Sequence, residues 1–183
     1  QEKDGYLYTT RTINPAAPHR WAGKEGGDLE KVDSHELYNF GHLPEAAVAH
    51  HQATGKRTLL DVAVRFADLL VETFGPGKRA IWPGHQITEM ALVRLYRVTG
   101  REQYLTLSKF MLDVRKADAP PNNHPATYAQ SHLPVIDQTE AVGHAVRATY
   151  LYAGMTDVAM HRDRPAFRPA LEALYDDVIG KRL

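Results

Sequence analysis

The sequence ATGKR at residues 53–57 returns in similar form as VTGRE at residues 98–102. Each copy follows a segment rich in small and aliphatic residues, and leucines at 59–60 have apolar counterparts after the second copy. A glycine just past a periodic apolar segment is typical of a helix end. The repeat therefore predicts turns that join paired helices, and a weaker third copy, YAGMT at residues 152–156, extends the pattern.

The segment after the first copy has the spacing of an amphipathic helix. Apolar side chains recur at steps of three and four between Thr58 and Phe74, and charged side chains occupy the opposite face. Residues 45–53 and 90–98 are less two-sided, which is typical of helices packed on several faces. These and similar patterns downstream predict six helices, at 34–54, 58–74, 85–99, 102–116, 137–160 and 166–180.

Capping residues support these boundaries. Asp33-Ser34 precedes Glu36 and Asp137 precedes Glu140, which predicts N-caps for the first and fifth helices. The stretch PPNNHP before the fifth helix predicts a long non-helical connection. Glycines stand where three helices should end: Gly55, Gly75 and Gly100.

These features predict an all-α protein with an irregular N-terminal arm at 1–33 and a helical-hairpin domain at 34–183. Successive αα hairpins that bury small-residue inner helices behind two-faced outer helices build either a solenoid or a closed (α/α) toroid. The arm carries Tyr6, Tyr8 and Trp21. We expect these rings to pack on the domain, although a carbohydrate site would use the same side chains.

Composition narrows the function. The 183 residues include 22 basic and 22 acidic side chains and no cysteine. A neutral chain without a dense Lys/Arg run predicts neither a nucleic-acid partner nor a membrane partner. The absence of cysteine excludes disulfides, thiolate zinc sites and cysteine nucleophiles within this chain. No apolar stretch is long enough to cross a bilayer, so we expect a soluble protein of the cytoplasm or periplasm, with both ends of this chain cut.

Three histidines stand near the starts of alternate helices: His35, His85 and His144. If the first, third and fifth helices form the inner layer, their N-termini all point to the same mouth. Neutral imidazoles gathered there would offer donors and acceptors for sugar hydroxyls, or groups for proton transfer. The alternative interpretation is that each histidine is an ordinary core or cap residue.

Other polar side chains lie near the same predicted mouth. A glycosidase needs two carboxyl groups, or a carboxyl group and another nucleophile, around the scissile bond. For the carboxylates the structural alternatives are helix-dipole stabilisation at Glu36 and Glu140 and a buried ion pair at Glu89. The full set of secondary candidates is Glu36, Gln86, Glu89, Tyr128, Gln130 and Glu140.

The histidine spacings do not favour a metal site. His35 and His42 are two helical turns apart, about 10 Å, which is too far to chelate one ion together. His50 and His51 are adjacent in sequence and face different ways. We therefore predict no metal ligands in this chain.

Several motifs resemble glycoside hydrolase family 127, the β-L-arabinofuranosidase family and its relatives. The resemblance runs through nearly the whole chain, in family order. Its most specific parts are SHELYNFGHLPEAAVAH at 34–50 and QTEAVGHAVRA at 138–148. Shorter matches are DGYL at 4–7, ATGKR at 53–57, PGHQ at 83–86 and LYRVTG at 95–100.

The resemblance implies a catalytic (α/α)6 toroid followed by β-sandwich domains, in a retaining enzyme that removes L-arabinofuranose or related sugars from plant glycans. Six helices would form about half of that toroid. Family histidines matching His35, His85 and His144 help to bind the sugar. The family is thought to use a cysteine nucleophile bound to zinc, with ligands downstream of the region matched here.

The resemblance therefore implies that this chain is the N-terminal part of such a hydrolase, without a cofactor of its own, and that zinc belongs to the complete enzyme. Its expected partners are a carbohydrate, an L-arabinofuranoside or related plant glycan, and either the remainder of the catalytic domain or a second copy that closes the ring. A non-catalytic binding or scaffold module, and a lyase or epimerase on the same scaffold, remain the alternatives.

Overall fold

The computed structural model describes residues 1–14, 20–21, 35–115 and 125–181. These residues contain no β-strand, only an isolated bridge between Phe74 and Arg79. The all-α class is confirmed, and each of the six predicted helices has a counterpart among α2 to α7. The helices are α1 (Thr9–Ile13), α2 (Glu36–Thr54), α3 (Thr58–Thr73), α4 (Thr88–Thr99), α5 (Glu102–Asp113), α6 (Ala145–Ala159) and α7 (Arg164–Lys181), with short 3₁₀ helices at Ala126–Ala129 and Val135–Asp137.

The helices form an inner and an outer layer. The inner helices lie side by side, with α4 between α2 and α6, and the outer helices α3, α5 and α7 each pack on the inner helix that precedes them. On α3 the apolar face carries Leu60, Phe66 and Leu70, which are buried in the core. The predicted inner set is confirmed, so the N-termini of α2, α4 and α6 point to the same side.

Two glycines end the first two inner helices. Gly55 and Gly100 have φ of 70° and 71°, and their N–H groups donate to the carbonyls of His51 and Tyr96 at 2.8 Å. These positive φ values favour glycine, which explains why the repeat retains it. The proposed third copy is wrong, because Gly154 lies inside α6 rather than at a turn.

Close approach of the inner helices explains where small residues are needed. A Cβ atom at Gly41 would lie 3.0 Å from the backbone nitrogen of Thr88, at the start of α4. On the other side of α4, a Cβ atom at Gly154 would lie 3.0 Å from the Cβ of Glu89. The Thr88 hydroxyl donates to the Leu37 carbonyl at 2.6 Å and fixes this approach. The start of α4 is therefore held tightly between α2 and α6.

Two predicted helix starts are wrong. The third helix begins at Thr88 rather than 85, because Ile87 has a φ of 147°, which is incompatible with a helix. The fifth begins at Ala145 rather than 137, since Gly143 has a φ of 75° and turns the chain against residues 127–128. Consequently Asp137 is not an N-cap; His144 is.

The described part of the N-terminal arm, residues 1–14 and 20–21, packs on the helical domain, as expected from its aromatic residues. Tyr6 and Trp21 are buried, with their rings 5.3 Å apart in an edge-to-face arrangement, and Tyr6 also contacts the Phe66 ring. The arm is less irregular than predicted, because it includes α1. The predicted cap at Asp33-Ser34 and most of the proline-rich stretch lie outside the described residues.

Candidate functional site

The three histidines converge at one end of the inner layer. His35 is the N-cap of α2, His85 lies just before α4, and His144 is the N-cap of α6. Ring centroids are 6.1 Å apart for His35 and His85 and 5.8 Å apart for His85 and His144. The alternation of helices thus brings together residues that are distant in the sequence, with His85 in the middle.

Two tyrosines and another histidine extend this cluster inward, and they were not among the predicted site residues. The Tyr38 ring lies 4.2 Å from His85 and 4.6 Å from His42. The Tyr150 ring lies 6.1 Å from both of these histidines. Tyr38 follows His35 by three positions on α2, a spacing that places both on one helix face and could have revealed it.

His85 is held in its neutral form. Its side chain is buried, and its Nδ1 lies 3.0 Å from the carbonyl oxygen of Gln86. Burial lowers the pKa of His85 to about 4, with smaller contributions from the positive charge of Arg147 and from His35 and His144, while the Gln86 carbonyl acts in the opposite direction. At neutral pH the ring therefore carries a single proton.

His144 caps α6 with its side chain. The Nδ1 atom accepts a hydrogen bond from the backbone N–H of Arg147 at 3.4 Å, which satisfies one of the free donors at the helix start. The imidazole also meets the Tyr128 ring edge-on, with centroids 5.4 Å apart. The hydrogen bond from Arg147 and the contact with the Tyr128 ring together fix the position of the His144 side chain at the mouth.

Arg147 connects the two histidine-bearing segments. Its side chain is buried, and its Nη1 donates to the carbonyl of Gly84, next to His85. Its guanidinium also lies over the Tyr128 ring, 4.9 Å from the centroid. The backbone N–H of Arg147 donates to His144, while its side chain donates to Gly84. Arg147 therefore connects the segment before α4 to the start of α6.

A glutamine cluster fastens the loop before α6 onto the segment before α4. Gln86 is fully buried and donates to the Gln130 side-chain oxygen at 2.9 Å and to the Ala129 carbonyl at 3.0 Å. Gln130 adopts a φ of 52° and donates to the Val142 carbonyl at 2.8 Å. Gln138 donates to the backbone carbonyl of Gln130 at 2.9 Å. Gln86 and Gln130 therefore build the wall of the site.

Glu89 is a buried ion-pair partner, which is the structural alternative for this residue. Its Oε1 accepts from Arg115 Nη2 at 3.0 Å, and both side chains are fully buried. Arg115 also donates to the carbonyls of Pro83 at 2.7 Å and Ala129 at 3.0 Å. Like Arg147, Arg115 thus connects the segment before α4 to the loop before α6.

The other two predicted carboxylates occupy different surroundings. Glu36 lies in the first turn of α2, is buried, and accepts a hydrogen bond from the Tyr6 hydroxyl. Glu140 is exposed in the irregular segment before α6, so the prediction that it lies in a first helical turn is wrong. Gly143 is the physical reason, because its turn delays the helix.

Three strained backbone conformations lie around the site. Among the described residues, five non-glycine residues have a positive φ: His35 at 54°, Ile87 at 147° and Gln130 at 52° lie here, whereas Trp21 and Asp163 lie elsewhere. Each such conformation costs on the order of 1–3 kcal/mol and persists only where surrounding contacts impose it. All three residues lie at the histidine mouth or in its wall, which marks this region as the candidate functional site.

The part of the chain that the structure describes offers no zinc site. The sequence has no cysteine, and the described residues contain no group of three or more His, Asp or Glu side chains placed to hold a metal.

The described helices also include none that is both long and apolar enough to span a membrane.

The fold is that of part of an (α/α) toroid, built from helical hairpins with a polar mouth at the N-termini of its inner helices. The chain belongs to the family described as β-L-arabinofuranosidase, GH127 catalytic domain, whose model matches residues 1–183. The predicted family and the half-toroid fold are thereby confirmed.

Individual relatives agree with this assignment. A non-reducing end β-L-arabinofuranosidase from Bifidobacterium longum subsp. longum is 41% identical over 202 residues, covering 100% of this chain and 30% of that protein. A solved GH127 β-arabinofuranosidase is 49% identical with a TM-score of 0.85, covering 98% of this chain and 28% of the other. A GH127 β-L-arabinofuranosidase from Geobacillus stearothermophilus T6 is 37% identical with a TM-score of 0.86, covering 97% and 29%. This chain therefore spans less than a third of each relative.

Proposed function

We propose that the intact protein is a retaining glycoside hydrolase that releases L-arabinofuranose, or a related sugar, from plant glycans. In this proposal the present chain supplies one wall of the sugar site, with His35, His85 and His144 in contact with sugar hydroxyls. The observation that carries the proposal is the convergence of these three imidazoles at one mouth, in a chain whose whole length matches the family model.

The chemistry of the mouth suits an uncharged ligand. His85 is neutral at physiological pH, and the tyrosines beside it offer apolar ring surface together with hydroxyl groups. Carbohydrate sites combine such rings with a few placed donors and acceptors. The buried Arg147 is engaged with Gly84 and Tyr128, so it acts here as a support for the wall.

The nucleophile and the zinc ligands are assigned to the remainder of the protein. This chain has no cysteine, and its relatives are more than three times as long as the part it covers. Under this proposal the present residues bind and orient the sugar, and they exclude water from one side of it. They carry no covalent step.

We further propose that the next helical hairpin of the catalytic domain docks between α6 and α7. A groove of about 1120 Å³ lies there, lined in part by Tyr152, Met160, Leu171 and Tyr175. Met160 and Tyr175 are 68% and 66% exposed and line this groove together with Tyr152 and Leu171, and a contiguous exposed apolar patch is typical of an interaction surface. Since the relatives are more than three times as long as the part that this chain covers, a further hairpin of the same domain is the occupant to which we commit.

A hydrolysis assay tests the proposed function. The intact protein is incubated with 4-nitrophenyl β-L-arabinofuranoside and, as a control, with the α-anomer. We expect release of nitrophenol from the β-anomer only, with β-L-arabinose as the first product seen by NMR. No cleavage of either compound, with saturable binding of the β-anomer, would instead support the non-catalytic binding module.

A further inference from the structure

In His85 and His144, the hydrogen-bond partner of Nδ1 determines whether Nε2 is a donor or an acceptor. His85 Nδ1 faces the Gln86 carbonyl oxygen, which can only accept, so Nδ1 carries the proton. His144 Nδ1 accepts from the backbone N–H of Arg147, so it carries no proton, and the ring proton is on Nε2. The two rings are therefore opposite tautomers.

Both Nε2 atoms are left for a ligand. Within the described part of the chain, no hydrogen bond is made by the Nε2 of His85 or of His144. Neither of these atoms is among the buried polar atoms that lack a partner, so both reach solvent. The ring centroids are 5.8 Å apart, which places both nitrogens within reach of one small molecule.

We propose that His85 and His144 distinguish hydrogen-bond donors from acceptors on one sugar. His85 Nε2 accepts a hydrogen bond from a sugar hydroxyl, and His144 Nε2 donates a hydrogen bond to a sugar oxygen. A ligand then needs a true hydroxyl donor at the first position, whereas an acceptor alone suffices at the second. The pair thereby selects a free hydroxyl over an ether oxygen at the sugar position that faces His85.

The surrounding contacts keep this arrangement in place. Burial keeps His85 neutral, so a second proton does not convert its acceptor into a donor near neutral pH. The cap bond of His144 exists only while Nδ1 lacks a proton, which ties its tautomer to the first turn of α6. The side chain of Arg147 holds the Gly84 carbonyl beside His85, while its backbone sets the tautomer of His144.

The tautomers are measured directly, without any sugar, in the intact protein labelled with ¹⁵N at histidine. Two-bond ¹H–¹⁵N spectra near neutral pH report which ring nitrogen carries the proton, and His85→Gln and His144→Gln identify the two sets of signals. We expect a protonated Nδ1 on His85 and a protonated Nε2 on His144. The same tautomer on both rings, or a doubly protonated ring, would overturn the inference while leaving the proposed hydrolase activity untouched. If one variant fails to fold, the signals are identified from the other variant and from their contacts to Tyr38 or Tyr128.

A second measurement uses ligands and rests on the proposed function. L-Arabinofuranosides are prepared with hydrogen, fluorine or methoxy in place of each hydroxyl, and their inhibition constants are compared with that of the parent. At the position facing His85, all three replacements should weaken binding at least about tenfold, or about 1.4 kcal/mol, because none of them donates. At the position facing His144, methoxy should be tolerated better than hydrogen.

The two ideas fail in distinguishable ways. If the parent arabinofuranoside does not bind at all, the proposed function fails and the sugar contacts of His85 and His144 fail with it, while the NMR result still decides whether the two rings are opposite tautomers. If the parent binds but every position responds equally to hydrogen and methoxy, the direction of the hydrogen bonds is not read and the inference is overturned.

Discussion

Gly143 lies directly against Thr127, so that a Cβ atom on residue 143 would lie 2.8 Å from the Thr127 carbonyl carbon and nearer still to its oxygen. Its φ of 75° is also one that side chains with a Cβ rarely adopt. This contact folds the loop before α6 back on itself and places His144 next to the Tyr128 ring. A residue with no side chain thus determines the position of one that we assign to sugar binding.

Gly143→Ala should therefore disturb both stability and the site. The matched control is Gly100→Ala, where φ is 71° but no atom lies within 4 Å of the added Cβ. We expect the control to lose about 1–2 kcal/mol of unfolding free energy, from backbone strain alone. Gly143→Ala should lose more and should also weaken sugar binding, because the loop must move. Equal losses in urea unfolding would contradict this account.

The buried pair of Arg115 and Glu89 should behave very differently from a surface pair. Removing one partner leaves an uncompensated buried charge, so Arg115→Met should cost about 3–5 kcal/mol. Arg115→Met combined with Glu89→Gln should recover a large part of that loss, since no charge is then left unpaired. Arg57→Met, which breaks the exposed pair with Asp61, should cost less than about 1 kcal/mol. Additive losses in the double variant would refute the pairing.

Stability should fall with acidification, in part because of His85. Its pKa is about 4 in the fold against 6.5 when unperturbed, so the unfolded chain takes up the proton first as the pH drops. The unfolding free energy should decrease as the pH falls below about 6.5, until His85 also protonates in the fold near about 4. His85→Gln should show a smaller decrease between about pH 7 and about pH 5. His132, whose pKa is lowered by burial, is present in both proteins and cancels in this comparison. If the unfolding free energy falls by the same amount in the parent and in His85→Gln over this pH range, His85 is not held neutral in the fold.

The groove between α6 and α7 gives a test of how the ring continues. In the intact protein we expect Met160→Glu to lower the melting temperature by several degrees, because a charge would enter the interface with the next hairpin. Ile13→Glu is the control, since Ile13 is 83% exposed on α1, away from the groove. No effect of Met160→Glu would remove the docking proposal. A change from dimer to monomer would assign the groove to a second copy instead.

The bounds of an amphipathic helix with one solvent-exposed face are predictable from sequence almost to the residue. α3 begins at Thr58 as predicted and ends one position early, since its apolar stripe and its turn glycine act locally. The start of α6 is not predictable in this way. Asp137 and Glu140 have the spacing of a cap, but tertiary contacts of Gly143 outweigh that local preference.

The same division applies to the site. The three histidines follow from helix alternation and from the family motifs, whereas the two arginines that hold their segments do not. The predicted fifth helix begins at 137, and only the observed start at Ala145 puts Arg147 in a first turn, where a basic residue opposes the helix dipole. Arg115 offered no signal either, since arginine just past a helix end is common. Only the folded chain brings its guanidinium to Pro83, Glu89 and Ala129.

The central claim, that the histidine mouth binds sugar, is tested most directly by kinetics of the intact protein on 4-nitrophenyl β-L-arabinofuranoside. His85→Ala and His144→Ala are compared with His161→Ala, an exposed residue that contacts Arg97 on the outside of the molecule. We predict that kcat/KM falls at least about tenfold for the first two and stays normal for the third. The melting temperature should fall by no more than the few degrees that the lost cap of His144 accounts for. Near-normal kcat/KM together with a large fall in melting temperature for His85→Ala and His144→Ala would contradict the claim and make these histidines structural.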